Sequence, residues 1–151
     1  MDPFFKDFYD RLSELHHELA GTVEGLPAEA LDWQPGPETN SLAVLLTHTA
    51  GSERYWIGEV VGEEPAGRER AEEFETLGRS AEELQDLLNL ALAHSRQTLS
   101  RLSLDNLAEA RLISLQGRSC TVAWALLHAL EHTAQHMGHA QLTRQMWEEM
   151  Q

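Results

Sequence analysis

Apolar residues recur along this chain at alternating spacings of three and four, the rhythm of helices that bury one face, and no stretch alternates as a half-buried strand does. Asp2-Pro3 reads as an N-cap followed by proline at the first helical position. Phe5, Phe8, Leu12, Leu15, Leu19 and Thr22 then form one stripe, predicting a first helix to about Val23. Gly25, Pro27, Pro35, Gly36 and Pro37 break residues 25–40 into a connection with room for one short turn from Pro27 to Leu31. Asn40 or Ser41 caps a second helix that runs to about Val61. The acidic segment Gly62 to Gly78, interrupted by Pro65 and Gly67, reads as a mobile surface connection. Ser80-Ala-Glu-Glu83 is a capping box that opens a third helix, with Leu84, Leu87, Leu88, Ala91, Ser95, Thr98 and Leu102 turned inward. Residues 103–118 form the last connection, and Ser119 or Thr121 caps a final helix to about Glu148.

This pattern predicts an all-α fold, a four-helix bundle with long connections, antiparallel or crossover, as a single domain over residues 1–151. A chain of that length buries a core of its own. Its 25 acidic and 11 basic residues leave a net charge of −14, which argues against nucleic acid or an anionic membrane surface as partner. No run of apolar residues is long enough to span a bilayer, and the first ten residues lack the basic and apolar regions of a secretory signal. The single Cys120 excludes an internal disulfide, fits a cytoplasmic location and, near the start of the final helix, is read as a buried, inert thiol. Phe4, Phe5, Met146, Trp147 and Met150 put more large apolar side chains near the chain ends than one core needs, which predicts a homodimer.

Chemistry points to the histidines. His132 and His136 lie four apart, one turn above each other on a helix face, and His48 sits in the apolar Ser41-Leu-Ala-Val-Leu-Leu-Thr-His-Thr-Ala50. Three neutral imidazoles from two facing helices would hold one divalent ion and leave a position open for water or substrate. Spacing alone does not choose the pair, because His128/His132 repeats the interval of four and His136/His139 are three apart. Ser52 and Tyr55, four and seven residues after His48, stand on its face and are candidates to bond a metal-bound water or a substrate. Glu53 and Trp56 fall to packing, since Glu53 lies about 140° around the helix from His48. A protease of the His-Glu-x-x-His type is excluded, because Thr133 follows the first histidine.

Asp32-Trp-Gln-Pro35 before the Asn40-Ser41 helix start, Leu-Leu-Thr-His48 followed by Glu53 and Trp56, and His132-x-x-x-His136-x-Gly138 together resemble the DinB/YfiT-like metalloenzymes, in order and over almost the whole chain. The resemblance implies a four-helix bundle, often homodimeric, that binds a divalent metal, zinc or nickel, through His48, His132 and His136, with Gly138 marking His136 as the second member of the pair. The family commonly has Gln where this chain has His139, so His139, like His128, is placed to bond a ligand imidazole or to compete for the ion. Characterised relatives include transferases and isomerases dependent on a low-molecular-weight thiol, in stress response or detoxification. The expectation is therefore a metal-dependent enzyme acting on a small molecule with an exogenous thiol; the competing one is a non-catalytic metal- or ligand-binding bundle.

Overall fold

The computed structural model describes residues 1–151. Four long helices form an all-α bundle: α1 (Pro3–Gly21), α3 (Leu42–Glu53), α5 (Ala81–Leu99) and α6 (Val122–Glu149), with two short helices, α2 (Ala28–Asp32) and α4 (Arg70–Glu73), in the connections. Their starts follow the sequence signals closely. Asp2 accepts from the Phe4 amide and Ser41 from that of Val44, Ser80 and Glu83 close the capping box, and Thr121, not Ser119, caps α6 by accepting from the Trp124 amide. Beyond Glu53, α3 continues to Val61 with its hydrogen bonds widened to five residues, a π-helical stretch that carries Tyr55 and Trp56.

Pairings across the bundle set its directions. Gln141 meets Glu18 and Arg144 the Gly21 carbonyl, so α1 and α6 run parallel. Gln85 bonds the Ala20 carbonyl while Arg96 lies over the Tyr9 ring, so α5 opposes α1. Ser95 bonds Glu53, and Gly62 abuts Thr98, so α3 and α5 run the same way. Two parallel neighbours need a connection that returns the length of a helix, about 30 Å for Leu42–Val61. Residues 62–80 supply it. This strap runs back along α3, and the expected mobile surface segment is instead docked there through α4, with Glu73 and Thr76 buried. The reason is topological and was not visible in the segment's own polar composition.

A second expectation is corrected between α5 and α6. A two-stranded antiparallel hairpin, β1 (Ala110–Ile113) with β2 (Arg118–Thr121), occupies part of the last connection, where no strand was expected. Only Ile113 of its eight residues is fully buried, so there was no alternation to read. The hairpin caps the end of the bundle where Phe5, Phe8, Tyr55, Trp56 and Val122 form one core cluster; a second, around Leu19, Leu42, Leu46, Leu84 and Leu88, fills the other end.

Between the clusters, His16 Nε2 and Ser95 Oγ both bond the Glu53 carboxylate, and all three residues are buried. Glu53 thus faces away from His48, as its helical position implied. Phe5 is fully buried and Trp147 packs edge-on against Trp33 of the same chain, so neither is a free interface residue. Because α1 and α6 run parallel, exposed Phe4 and exposed Met150 lie at opposite ends of the bundle and form no common patch.

Candidate metal centre

His48 of α3 and His132 and His136 of α6 meet where the two helices pack, with a ligating atom from each within 4.8 Å of the others. His48 Nε2 lies 3.2 Å from His132 Nε2, and His136 Nε2 lies 3.1 Å from the same atom. Three nitrogens held at 2.0–2.1 Å by a tetrahedral ion stand about 3.3 Å apart, so the spacing fits a shared divalent cation.

The hydrogen bonding fits as well. Glu73 Oε2 accepts from His48 Nδ1 over 2.7 Å, which directs His48 Nε2 toward the other two rings. Glu73 is itself clamped by Arg68, whose Nε reaches Oε1 at 2.6 Å and whose Nη2 reaches Oε2 at 2.8 Å. Burial pulls the Glu73 carboxyl upward, but the hydrogen bonds from Arg68 and His48 outweigh it and hold the pKa below the usual range. Burial pushes the His132 imidazole down to about 3, helped by His136 and His48, and the His136 imidazole down to about 4. Both rings therefore present unprotonated nitrogens at neutral pH.

Arg68 and Glu73 were missed by the sequence reading. Both come from the strap, and Glu73 is one of four glutamates between residues 69 and 75, the rest exposed. Its approach depends on Gly51, where a Cβ would collide with the Glu73 carboxylate. Among small signals only this glycine, one turn after His48 in an otherwise good helix, hinted at a close neighbour.

A cavity of ≈ 340 Å³ opens beside the histidines, lined by His48, Ser52, Trp56, Arg70, Gln116 and His128 among others. Ser52 stands in its wall, as its spacing from His48 implied. Tyr55 also reaches this wall, but its hydroxyl lies 3.1 Å from Ser114 Oγ and accepts from the Leu115 amide at 3.1 Å, so it pins the hairpin instead of facing a metal-bound water. His128 is stacked on Trp124 and edge-on to Trp56, and burial lowers its pKa. His139 is exposed and lies outside the converging set, its ring 5.6 Å from that of His136. Cys120 is half-buried in the hairpin, where burial raises the thiol's pKa.

Residues 7–148 match the sequence model of a family described as Mycothiol-S-transferase. Among solved structures, seven chains match, one of them a conserved protein from Enterococcus faecalis that is 19% identical, with a TM-score of 0.71 over 92% of this chain and 94% of that one. At that identity the likeness speaks for the fold. No curated protein matches. No helix is long and apolar enough to cross a membrane.

Proposed function

This chain belongs to the mycothiol-S-transferase family, a DinB/YfiT-like family, and on that premise we propose that it is a divalent-metal-dependent S-transferase joining a low-molecular-weight thiol to a small electrophile. The observation that carries the reading is the convergence of the three imidazoles beside a cavity large enough for a substrate. His48, His132 and His136 would hold the ion, and a divalent metal such as zinc or nickel would supply the Lewis acidity that lowers the pKa of a thiol. Glu73 and Arg68 fix the His48 ring, and Trp56 with His128 walls the cavity against water. In the transfer, sulfur forms the new bond to carbon while the leaving group takes its bonding pair, and the thiol proton passes to a base. His128, uncharged at neutral pH and lining the same cavity, is the side chain assigned to receive it.

The test is conjugation of a haloalkyl fluorophore to mycothiol, with glutathione in parallel, by protein loaded with zinc or nickel. Thiol consumption above the uncatalysed rate, lost with chelator and in His132→Ala, is expected. A loaded protein that leaves both thiols unreacted would sink the transferase reading and favour a non-catalytic metal-binding bundle.

A homodimer is part of the proposal, placed on the exposed Leu115, Trp124 and Leu127 near the start of α6 rather than on the chain ends. Light scattering that finds a single 17.0 kDa species at micromolar concentration would remove it.

A further inference from the structure

A second cavity, larger than the one beside the histidines, lies against the strap. It measures ≈ 770 Å³, within the range of about 300–1,000 Å³ typical of small-molecule sites, and is framed by α3, α5 and the strap. Three polar atoms on its lining residues are shielded from solvent without a hydrogen-bond partner: Arg54 Nη1, His94 Nδ1 and Thr47 Oγ1. Buried polar atoms are usually satisfied, and three unpaired ones on the lining residues single this cavity out from the one beside the histidines, whose lining has none.

Arg54 is the most telling of them. The chain has 25 acidic residues, yet Arg54 enters no ion pair. Carboxylates nearby are already committed: Glu53 to His16 and Ser95, Glu64 to His94 and Arg101, Glu73 to Arg68 and His48. Room for the guanidinium exists because residue 58 is glycine; a Cβ there would stand 2.8 Å from Arg54 Nη1 and 2.9 Å from His94 Cε1. Arg54 and His94 therefore share one end of the cavity. Glu64 Oε2 accepts from His94 Nε2 at 2.8 Å and so fixes the ring beside Arg54. From Arg54 the wall runs past Ala50 and Ala91 to Leu87, Leu90 and Leu77, about 10 Å along α3 at helical rise. Leu77 and Leu90 are 72% and 69% exposed, large apolar side chains at the open end with nothing on them.

We propose that this cavity binds a small amphiphilic monocarboxylate, its head on the Arg54 fork beside His94 and its apolar tail along Leu87, Leu90 and Leu77. A dianion such as a phosphate monoester is disfavoured, because Glu69, Glu72 and Glu75 also line the cavity and outnumber Arg79. The proposal does not rest on the metal centre, with whose surroundings the cavity shares Gly51, Arg68 and Glu73.

Octanoate is the probe, titrated into metal-free protein so that its carboxylate has no ion to ligate, with amide chemical shifts as readout. Saturable one-to-one shifts centred on Gly51, Gly58 and Ala91 are expected, with 1-octanol, octylamine and inorganic phosphate failing to compete. Arg54→Met should weaken binding at least about tenfold, the loss of one charge-assisted fork. Leu90→Glu, at an exposed position that leaves the core untouched, should weaken octanoate as well, which keeps the idea testable if the Arg54 variant misfolds. No shifts at millimolar octanoate, octanol binding as well as octanoate, both variants binding like the parent, or shifts centred on His132 and His136 would each overturn it.

Discussion

Glu73 decides how well the three imidazoles are aimed. Its carboxylate accepts from His48 Nδ1 and from two Arg68 donors at once, so Glu73→Gln would keep the shape but remove the charge and set an amide N–H₂ against the guanidinium. Removing the partner that fixes a ligating imidazole typically costs 10–100-fold in metal affinity, and a loss of about that size is expected here, read by competition with a zinc indicator. Gly51→Ala should act in the same direction by a different route, because its methyl displaces the Glu73 carboxylate. Unchanged affinity in both variants would show that the clamp does not orient the ligand. At this scale the sequence disclosed part of the site. His132 and His136 were legible because four residues make one helical turn, whereas Glu73 reads like its exposed neighbours Glu72 and Glu75 until the strap's path is known.

Among elements, the helices were readable and the connections were not. A stripe such as Leu84, Leu88, Ala91, Ser95 and Thr98 repeats the same burial decision several times, so noise in any one position is averaged out. The hairpin makes that decision once, at Ile113, and its fixation comes from outside. Tyr55, in the π-helical stretch, lies within 3.1 Å of Ser114 Oγ and accepts from the Leu115 amide, while Ser114 donates onward to Glu59. Tyr55→Phe removes the hydroxyl and strands the Leu115 N–H, which should cost about 1–3 kcal/mol and raise amide exchange in residues 110–121. Zinc affinity should hold, since no metal-directed role is left for the phenol. An exchange pattern unchanged from the parent would mean that strand pairing alone secures the hairpin.

Over the whole molecule, acid acts through two opposing effects. The net charge of −14 shrinks as pH falls toward the isoelectric point near 4.8, which relieves self-repulsion and favours the folded state. That repulsion is largely between exposed groups and is screened beyond about 8 Å at physiological ionic strength. The histidines work the other way and are sheltered from salt. In the unfolded chain His132 and His136 take up protons below about 6.5, while in the fold they stay neutral down to about 3 and about 4. Between those limits the unfolded state binds more protons, so stability is present above about pH 6.5 and is lost as pH falls, by at most about 1.4 kcal/mol per pH unit for each imidazole. Glu73, whose carboxyl lies below the usual range, adds a further loss once the pH drops beneath that range. Bound metal steepens the trend, because it stabilises only the fold and protons compete for its ligands. Melting temperature should therefore decline from pH 7.5 to 4.5 in chelated protein and decline faster in the zinc-loaded form. His132→Leu should flatten the chelated curve by removing one of the two rings. A chelated parent whose melting temperature rises toward the isoelectric point would show that charge repulsion, not the buried imidazoles, governs how this bundle meets acid.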